Sequence, residues 1–162
     1  MIIPIVNKSD RIIGYKDRKD KLPEDTYRVT ALWITNSRDE ILIARRSKER
    51  KTDGGKWGPA VAGTVEKGET YTSNIIKEAY EEIGLKDIKP KKGLKRLATK
   101  EHNHFAQWYF LTIDKDVKKF NIDPVEVAEL RWIKKTDLIK DFRLHPSEYV
   151  KGMSEILKDI YK

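Results

Sequence analysis

The chain has 162 residues and no cysteine, which excludes disulfides, thiolate-bound zinc and every thiol nucleophile. Its 34 Lys and Arg outnumber 26 Asp and Glu, and the formal charge of +8 favours anionic partners without choosing among phosphorylated metabolites, RNA and acidic membrane surfaces. Charged residues make up 37% and apolar residues 38%, a polar balance that still supports one packed domain over residues 1–162 and argues against disorder.

The lysines are scattered and form no basic block, which is the composition of a solvated basic surface. No stretch approaches the ~18 consecutive apolar residues of a membrane span, and the N-terminus lacks a basic stretch followed by a long apolar run. A cytoplasmic protein without a membrane partner is the expectation.

In chain order, Ile2 to Val6 and Arg11 to Tyr15 are apolar runs separated by the polar turn Asn7-Lys8-Ser9-Asp10, which predicts an N-terminal β-hairpin. Asp17 to Asp25 reads as a charged loop. From Tyr27, the residues Val29, Ala31, Trp33 and Thr35 alternate with Arg28, Thr30, Leu32 and Ile34. A second apolar run follows from Ile41 to Ala44, so these two strands are expected to pair. Arg45 to Gly55 is strongly charged and ends in Gly54-Gly55, a surface-loop composition before the segment Trp57 to Val65. Thr70 is a natural N-cap and Gly84 a natural stop; Ile76, Ala79, Tyr80 and Ile83 recur between them at helical spacing, predicting a helix over residues 71 to 83. Beyond it, Leu94 to Thr99, Phe105 to Ile113 and Glu129 to Ile133 read as strands, and Thr136 to Phe142 and Ser147 to Tyr161 as helices.

On the helix over 71 to 83, Glu78, Glu81 and Glu82 stand at i, i+3 and i+4 and project together, away from the apolar stripe. Like charges that close repel one another unless a cation lies between them, and oxygen-only donors select hard cations such as Mg²⁺ or Mn²⁺. The alternative is three solvated glutamates on an amphipathic helix.

The surroundings favour the metal site. Gly63, then Glu69, then Lys77-Glu78-Ala79-Tyr80-Glu81-Glu82-Ile83-Gly84-Leu85 resembles the Nudix box, over residues 63 to 85, at every specified position but one: the family's arginine is Lys77 here. The resemblance implies an α/β fold, the Nudix α/β/α sandwich with a mixed central sheet. It also implies a hydrolase that cleaves a diphosphate bond with Mg²⁺, or Mn²⁺, held by Glu78, Glu81 and Glu82. It gives Gly63 and Gly68 to a loop whose backbone bends close to the site, Glu69 to bracing that loop, and Gly84 to ending the helix. Lys77 takes the role of orienting the box carboxylates, without arginine's planar fork. In such chemistry a carboxylate takes a proton from water during attack on phosphorus. Glu78 is the first candidate for that base, and Glu101, Glu126 and Glu129 are further carboxylates that could approach. The family is often dimeric, so a homodimer is among the expected arrangements.

Outside the box, Asp10 to Gly14, Trp33 to Asn36, Ile41 to Ser47 and Trp57 to Gly63 are similar to Nudix proteins related to isopentenyl-diphosphate isomerase. That isomerase's catalytic cysteine falls at Ala62, two of its histidines at Tyr27 and Thr64, and its later glutamates near Asn103 and Phe105. Isomerase chemistry is therefore rejected and hydrolysis kept. The same comparison places Arg46 and a basic residue at Arg50 or Lys51 where a diphosphate is gripped, with Arg45 pointing the other way along its strand; a ligand-free basic loop is the alternative. Trp57, beside the glycine loop, is the candidate for stacking a nucleobase, whereas Trp108 or Tyr109 and Trp132 are assigned to packing. His102 and His104 form a strand-end pair able to face one side. The expected substrate is a nucleoside diphosphate linked to another group, or a related organic diphosphate. A module that binds a nucleotide or RNA without turnover is the reading that Lys77 and the +8 charge leave open.

Overall fold

The computed structural model describes residues 1–99 and 102–161. β1 (Ile2–Val6) and β2 (Ile12–Asp17) pair antiparallel as the expected hairpin, and the Asn7 side chain holds the turn by accepting from the backbone N–H groups of Ser9 (2.9 Å) and Arg11 (3.0 Å). The other strands are β3 (Tyr27–Thr35), β4 (Glu40–Arg46), β5 (Trp57–Pro59), β6 (Val61–Thr64), β7 (Lys91–Ala98), β8 (His104–Thr112) and β9 (Val127–Lys134). They form one seven-stranded sheet, mixed because β3 and β8 run parallel while the other described pairs are antiparallel. The helices are α1 (Tyr71–Ile83), α2 (Lys135–Leu144) and α3 (Met153–Ile160).

β3 changes partner along its length. Val29 to Leu32 pair with β6, and only Ile34 and Thr35 pair with β4, so the predicted pairing of the two strands occurs just next to their turn. β4 pairs with β9 along its other edge over Glu40 to Arg46, and past the β3 contact it pairs with β5 over Ile43 to Arg45. The charged loop consequently begins later than its composition predicts, because Arg45 and Arg46 are still strand.

Alternation along these strands sorts their side chains into two layers. Leu32, Ile34, Leu42, Ala44 and Tyr109 pack with Ile75, Ala79 and Ile83 of α1 on one face. Ala31, Trp33, Ile41, Ile43 and Trp108 pack with Leu138 of α2 and with Met153 and Ile156 of α3 on the other. The result is an α/β/α sandwich. No helix among the described residues is long and apolar enough to cross a membrane.

α1 spans the predicted residues, for the predicted reasons. Thr70 Oγ1 accepts from the Ser73 N–H at 3.0 Å, Ser73 Oγ accepts from the Thr70 N–H at 2.9 Å, and Gly84 closes the helix in the left-handed region at φ 72°. Its buried stripe is Ile75, Ala79 and Ile83, all 0% exposed. Ile76 and Tyr80, expected on that stripe, are 38% and 52% exposed. Ile75 takes a core position in place of Ile76 and Tyr80, while Ala79 and Ile83 point inward as expected.

The last helix is shorter than the spacing of Ser147 to Tyr161 predicts. A single 3-10 turn, Pro146–Glu148, gives way to an extended Tyr149, and Val150 donates its N–H to the Trp57 carbonyl at 2.8 Å. Tyr149 is 1% exposed and its hydroxyl donates to Asp141 at 2.5 Å. Burying that ring beside β5 outweighs helical continuity, and α3 starts only at Met153.

At the start of β8, His104 meets Tyr27 edge-on with ring centroids 5.5 Å apart, and its Nδ1 is buried with no hydrogen-bond partner among the described residues. Burial, then the charges of His102 and Lys21, pull its pKa from 6.5 to about 4. The folded chain therefore keeps this imidazole neutral where the unfolded chain protonates it. The contribution of this imidazole to stability is expected to be fully present above pH 6.5 and to be lost as the pH drops from 6.5 towards 4. Urea denaturation across that window should show His104→Phe gaining stability relative to the wild type as the pH falls, and a constant difference between the two would contradict it.

Candidate active site

β6 leads the chain back to α1, and Gly63 is where the two elements touch. A Cβ on Gly63 would lie 2.3 Å from Cγ of Glu78 and 2.5 Å from its Cδ, so glycine is what lets this carboxylate rest against the strand. Gly68 then turns the loop at φ +88°, and Glu69 reaches inward from it. One Glu69 oxygen accepts from the Glu66 N–H at 2.9 Å and from the Asn74 amide at 2.8 Å, while the other lies 2.6 Å from Lys77 Nζ. Lys77 also pairs with Glu66 at 2.8 Å and stands 3.8 Å from Glu78. Burial opposes charge at both Lys77 and Glu69, yet the hydrogen bonds hold Lys77 above its ordinary range and Glu69 below. A compact ammonium thus braces the loop through several carboxylates, a geometry that does not need a planar fork.

Asn74 lies at the centre of this arrangement and is absent from the box pattern. It is 0% exposed; its amide donates to the Thr64 carbonyl (3.0 Å) and to Glu69, and lies 3.4 Å from Glu78, while its Oδ1 accepts from the Thr30 hydroxyl at 2.5 Å. The signal that points to it is spacing: Asn74, Glu78 and Glu82 form a polar column at i, i+4 and i+8, beside the apolar column Ile75, Ala79 and Ile83.

Glu78 and Glu82 are partly buried and Glu81 is exposed. Burial, with Glu81 and Glu69 nearby, pushes Glu78 up to about 7 against the pull of Lys77. Burial, then Glu78 and Glu126, pushes Glu82 up to about 8, although the Ala62 backbone N–H and Arg46 favour its charged form. Among the described residues no three acidic or imidazole groups already converge at metal-ligand separation.

The end of β4 provides the facing wall. Ala44 lies in the α1 layer, and alternation puts Arg46 on that same side and Arg45 on the other. Arg46 is within electrostatic reach of Glu82, Asp53 and Glu126, and its Nε is tied to the Thr52 carbonyl at 3.0 Å. Arg50 is ion-paired with Glu126 at 2.6 Å, so Arg46, Arg50 and Glu126 join the box carboxylates in one cluster. Lys51 is exposed in the loop's turn.

Other expected site residues lie elsewhere. Trp57 is paired with Arg45 across β4 and β5, is 8% exposed, and packs in the far layer with Tyr149 and Met153, its ring 4.6 Å from the Arg131 guanidinium. It is therefore a core residue and not a stacking platform beside the box. Glu129 also opposes Arg45 in register and shares that far face, which removes it as a candidate base. His104 alternates onto the same side as Trp108, with His102 exposed beside it. Glu101 lies outside the described residues. Trp108, Tyr109 and Trp132 pack in the two layers as expected.

Residues 25–156 match the model of the NUDIX domain. The chain belongs to the Nudix family. A Nudix hydrolase of Listeria monocytogenes is 27% identical over 137 residues, covering 83% of this chain and 80% of the relative. The crystal structure of a Deinococcus radiodurans protein superimposes with a TM-score of 0.85 at 24% identity, covering 100% of both chains. An isopentenyl-diphosphate isomerase of Pectobacterium atrosepticum is 25% identical over 85 residues, 52% of this chain and 48% of the isomerase. The present chain is a Nudix hydrolase, and in it Ala62 is paired with Ala31 across β3 and β6.

Asn74→Ala in this Nudix hydrolase strips the Thr30 hydroxyl, the Thr64 carbonyl and Glu69 of a buried partner. The expected loss of stability is about 2–3 kcal/mol, read from urea denaturation; an unchanged midpoint would contradict the central role given to this amide.

Proposed function

We propose that this Nudix hydrolase cleaves the diphosphate bond of a nucleoside diphosphate linked to another group, or of a related organic diphosphate. In this reading Glu78, Glu81 and Glu82 hold Mg²⁺, with Mn²⁺ as a substitute. The observation that carries it is the meeting of Arg46 and Arg50 with Glu78 and Glu82 at one end of the sheet. Cations suited to phosphate oxygens face acids suited to a divalent cation.

The donor set fits such an ion. It consists of oxygens alone, and burial raises Glu78 and Glu82 to about 7 and about 8, the condition of carboxylates short of counter-charge. A bound divalent cation supplies neutralisation of phosphate oxygens and acidification of water.

The chain's own groups divide the remaining tasks. Arg46, anchored by the Thr52 carbonyl, offers its terminal nitrogens to a phosphate. Arg50 adds positive charge to the same wall while it remains paired with Glu126. Lys77 and Asn74 hold Glu69 and the loop, and Gly63 leaves room for Glu78. Glu78 is assigned the proton of the attacking water as oxygen bonds to phosphorus and the bridging P–O bond breaks, since Glu126 is engaged with Arg50 and Glu129 faces away. A module that only bound nucleotide or RNA would use the basic wall but would have no need of the partly buried acid pair.

A panel of nucleoside triphosphates, dinucleotide cofactors, nucleotide sugars and isoprenoid diphosphates tests this through phosphate or nucleotide release. Turnover with Mg²⁺ and its loss on chelation are expected. Glu78→Gln should lower kcat by about 10²–10⁴-fold. Arg46→Ala should raise KM by about 10-fold or more. A wild type inert on the whole panel with either metal, or a Glu78→Gln variant as active as the wild type, sinks the reading.

A further inference from the structure

The sheet face away from α1 carries cations for which diphosphate hydrolysis has no use. A depression of about 430 Å³ lies there between the loop after β4 and the turn at Pro146–Glu148, and Arg45, Lys56, Trp57 and Ser147 line it together with the backbone of Gly54 and Gly55. Arg45 is held as Arg46 is, on the opposite side of the strand. Arg45 Nε donates to the Gly55 carbonyl at 3.0 Å, and Arg46 Nε donates to the Thr52 carbonyl at 3.0 Å. Each guanidinium is thus fixed by main chain through one nitrogen, leaving its two terminal nitrogens for another acceptor.

For Arg46 the surrounding acids are the box carboxylates and Glu126. Arg45 makes no ion pair among the described residues, although Glu129 is its cross-strand neighbour and Glu148 lines the same depression. Lys56 adds an ammonium shared with Asp53 at 3.3 Å, and Arg131 lies over the Trp57 ring at 4.6 Å in the adjoining wall. A tethered guanidinium that makes no ion pair among the described residues, an ammonium and a serine hydroxyl around one concavity suit a phosphate group. The volume is that of a small-ligand site, and the Glu148 carboxylate suits hydroxyl or amino donors on whatever carries the phosphate.

We propose that this depression is a second anion site, separate from the hydrolytic centre, which binds a phosphate monoester of nucleotide size through Arg45, Lys56 and Ser147. The site stands independently of the hydrolase reading, because none of its residues belongs to the box.

The test uses the full ¹⁵N-labelled chain without divalent metal, titrated separately with AMP, inorganic phosphate and adenosine and followed by NMR. AMP is expected to move the amides of Gly54, Gly55 and Ser147 and the Trp57 indole N–H saturably, phosphate to move the same signals more weakly, and adenosine to leave them in place. Arg45→Ala should weaken AMP binding at these signals by about tenfold or more, and Glu82→Gln should leave it unchanged. Lys56→Gln, a change outside the strands, should weaken it by about threefold. AMP shifts confined to the segment from Gly63 to Gly84, or Arg45→Ala and Lys56→Gln variants that bind AMP as the wild type does, would overturn the proposal.

Discussion

Glu78 and Glu82 stand one turn apart on α1, pressed towards the end of the sheet, and the proximity of each makes charging the other harder. The parts around them answer that repulsion. Lys77 lends positive charge to Glu66, Glu69 and Glu78, Asn74 donates into the same cluster, and Arg46 faces Glu82 from β4. Gly63 removes the side chain that would push Glu78 off the strand. The loop, the helix and the strand end are stable together because each supplies what the acid pair lacks.

The two-residue period of β4 decides what the charged loop can do. Consecutive arginines, Arg45 and Arg46, leave the strand on opposite faces, and each ties its Nε to a carbonyl of the loop that follows. One goes to the acid cluster and the other to the depression beside Trp57. The exchange of partners by β3, from β6 to β4, places the β6 turn and the β4 end near one helix.

Much of this was legible residue by residue. Thr70, Gly84 and the charges between them announce α1, because capping and carboxylate spacing act within a turn or two of chain. Glycine at 63 and 68 and the bracing role of Glu69 followed from the box resemblance, and the geometry accommodates them. Ala79 and Ile83 are legible as the inward side of α1, but Ile75 and Ile76 are equal in hydrophobicity, and only contact with the sheet distinguishes them. The role of Asn74 is not legible in the sequence because a buried amide is recognised by its partners, and Thr30 lies 44 positions away in the chain.

Trp57 shows the limit from the other side. Its place beside a glycine loop suggested stacking, yet pairing with Arg45 and bridging to Tyr149 turn it into the far layer. Glu126 and Glu129 are likewise equivalent in type and close in chain, yet Glu129 pairs with Arg45 on the far face while Glu126, just before β9, meets Arg50. Local spacing determined α1, its caps and the box pattern that resembles the family, since those depend on neighbours a few residues apart. Which carboxylates and arginines share one space was settled by strand register and partner exchange, since a one-residue shift in pairing sends a side chain to the opposite face.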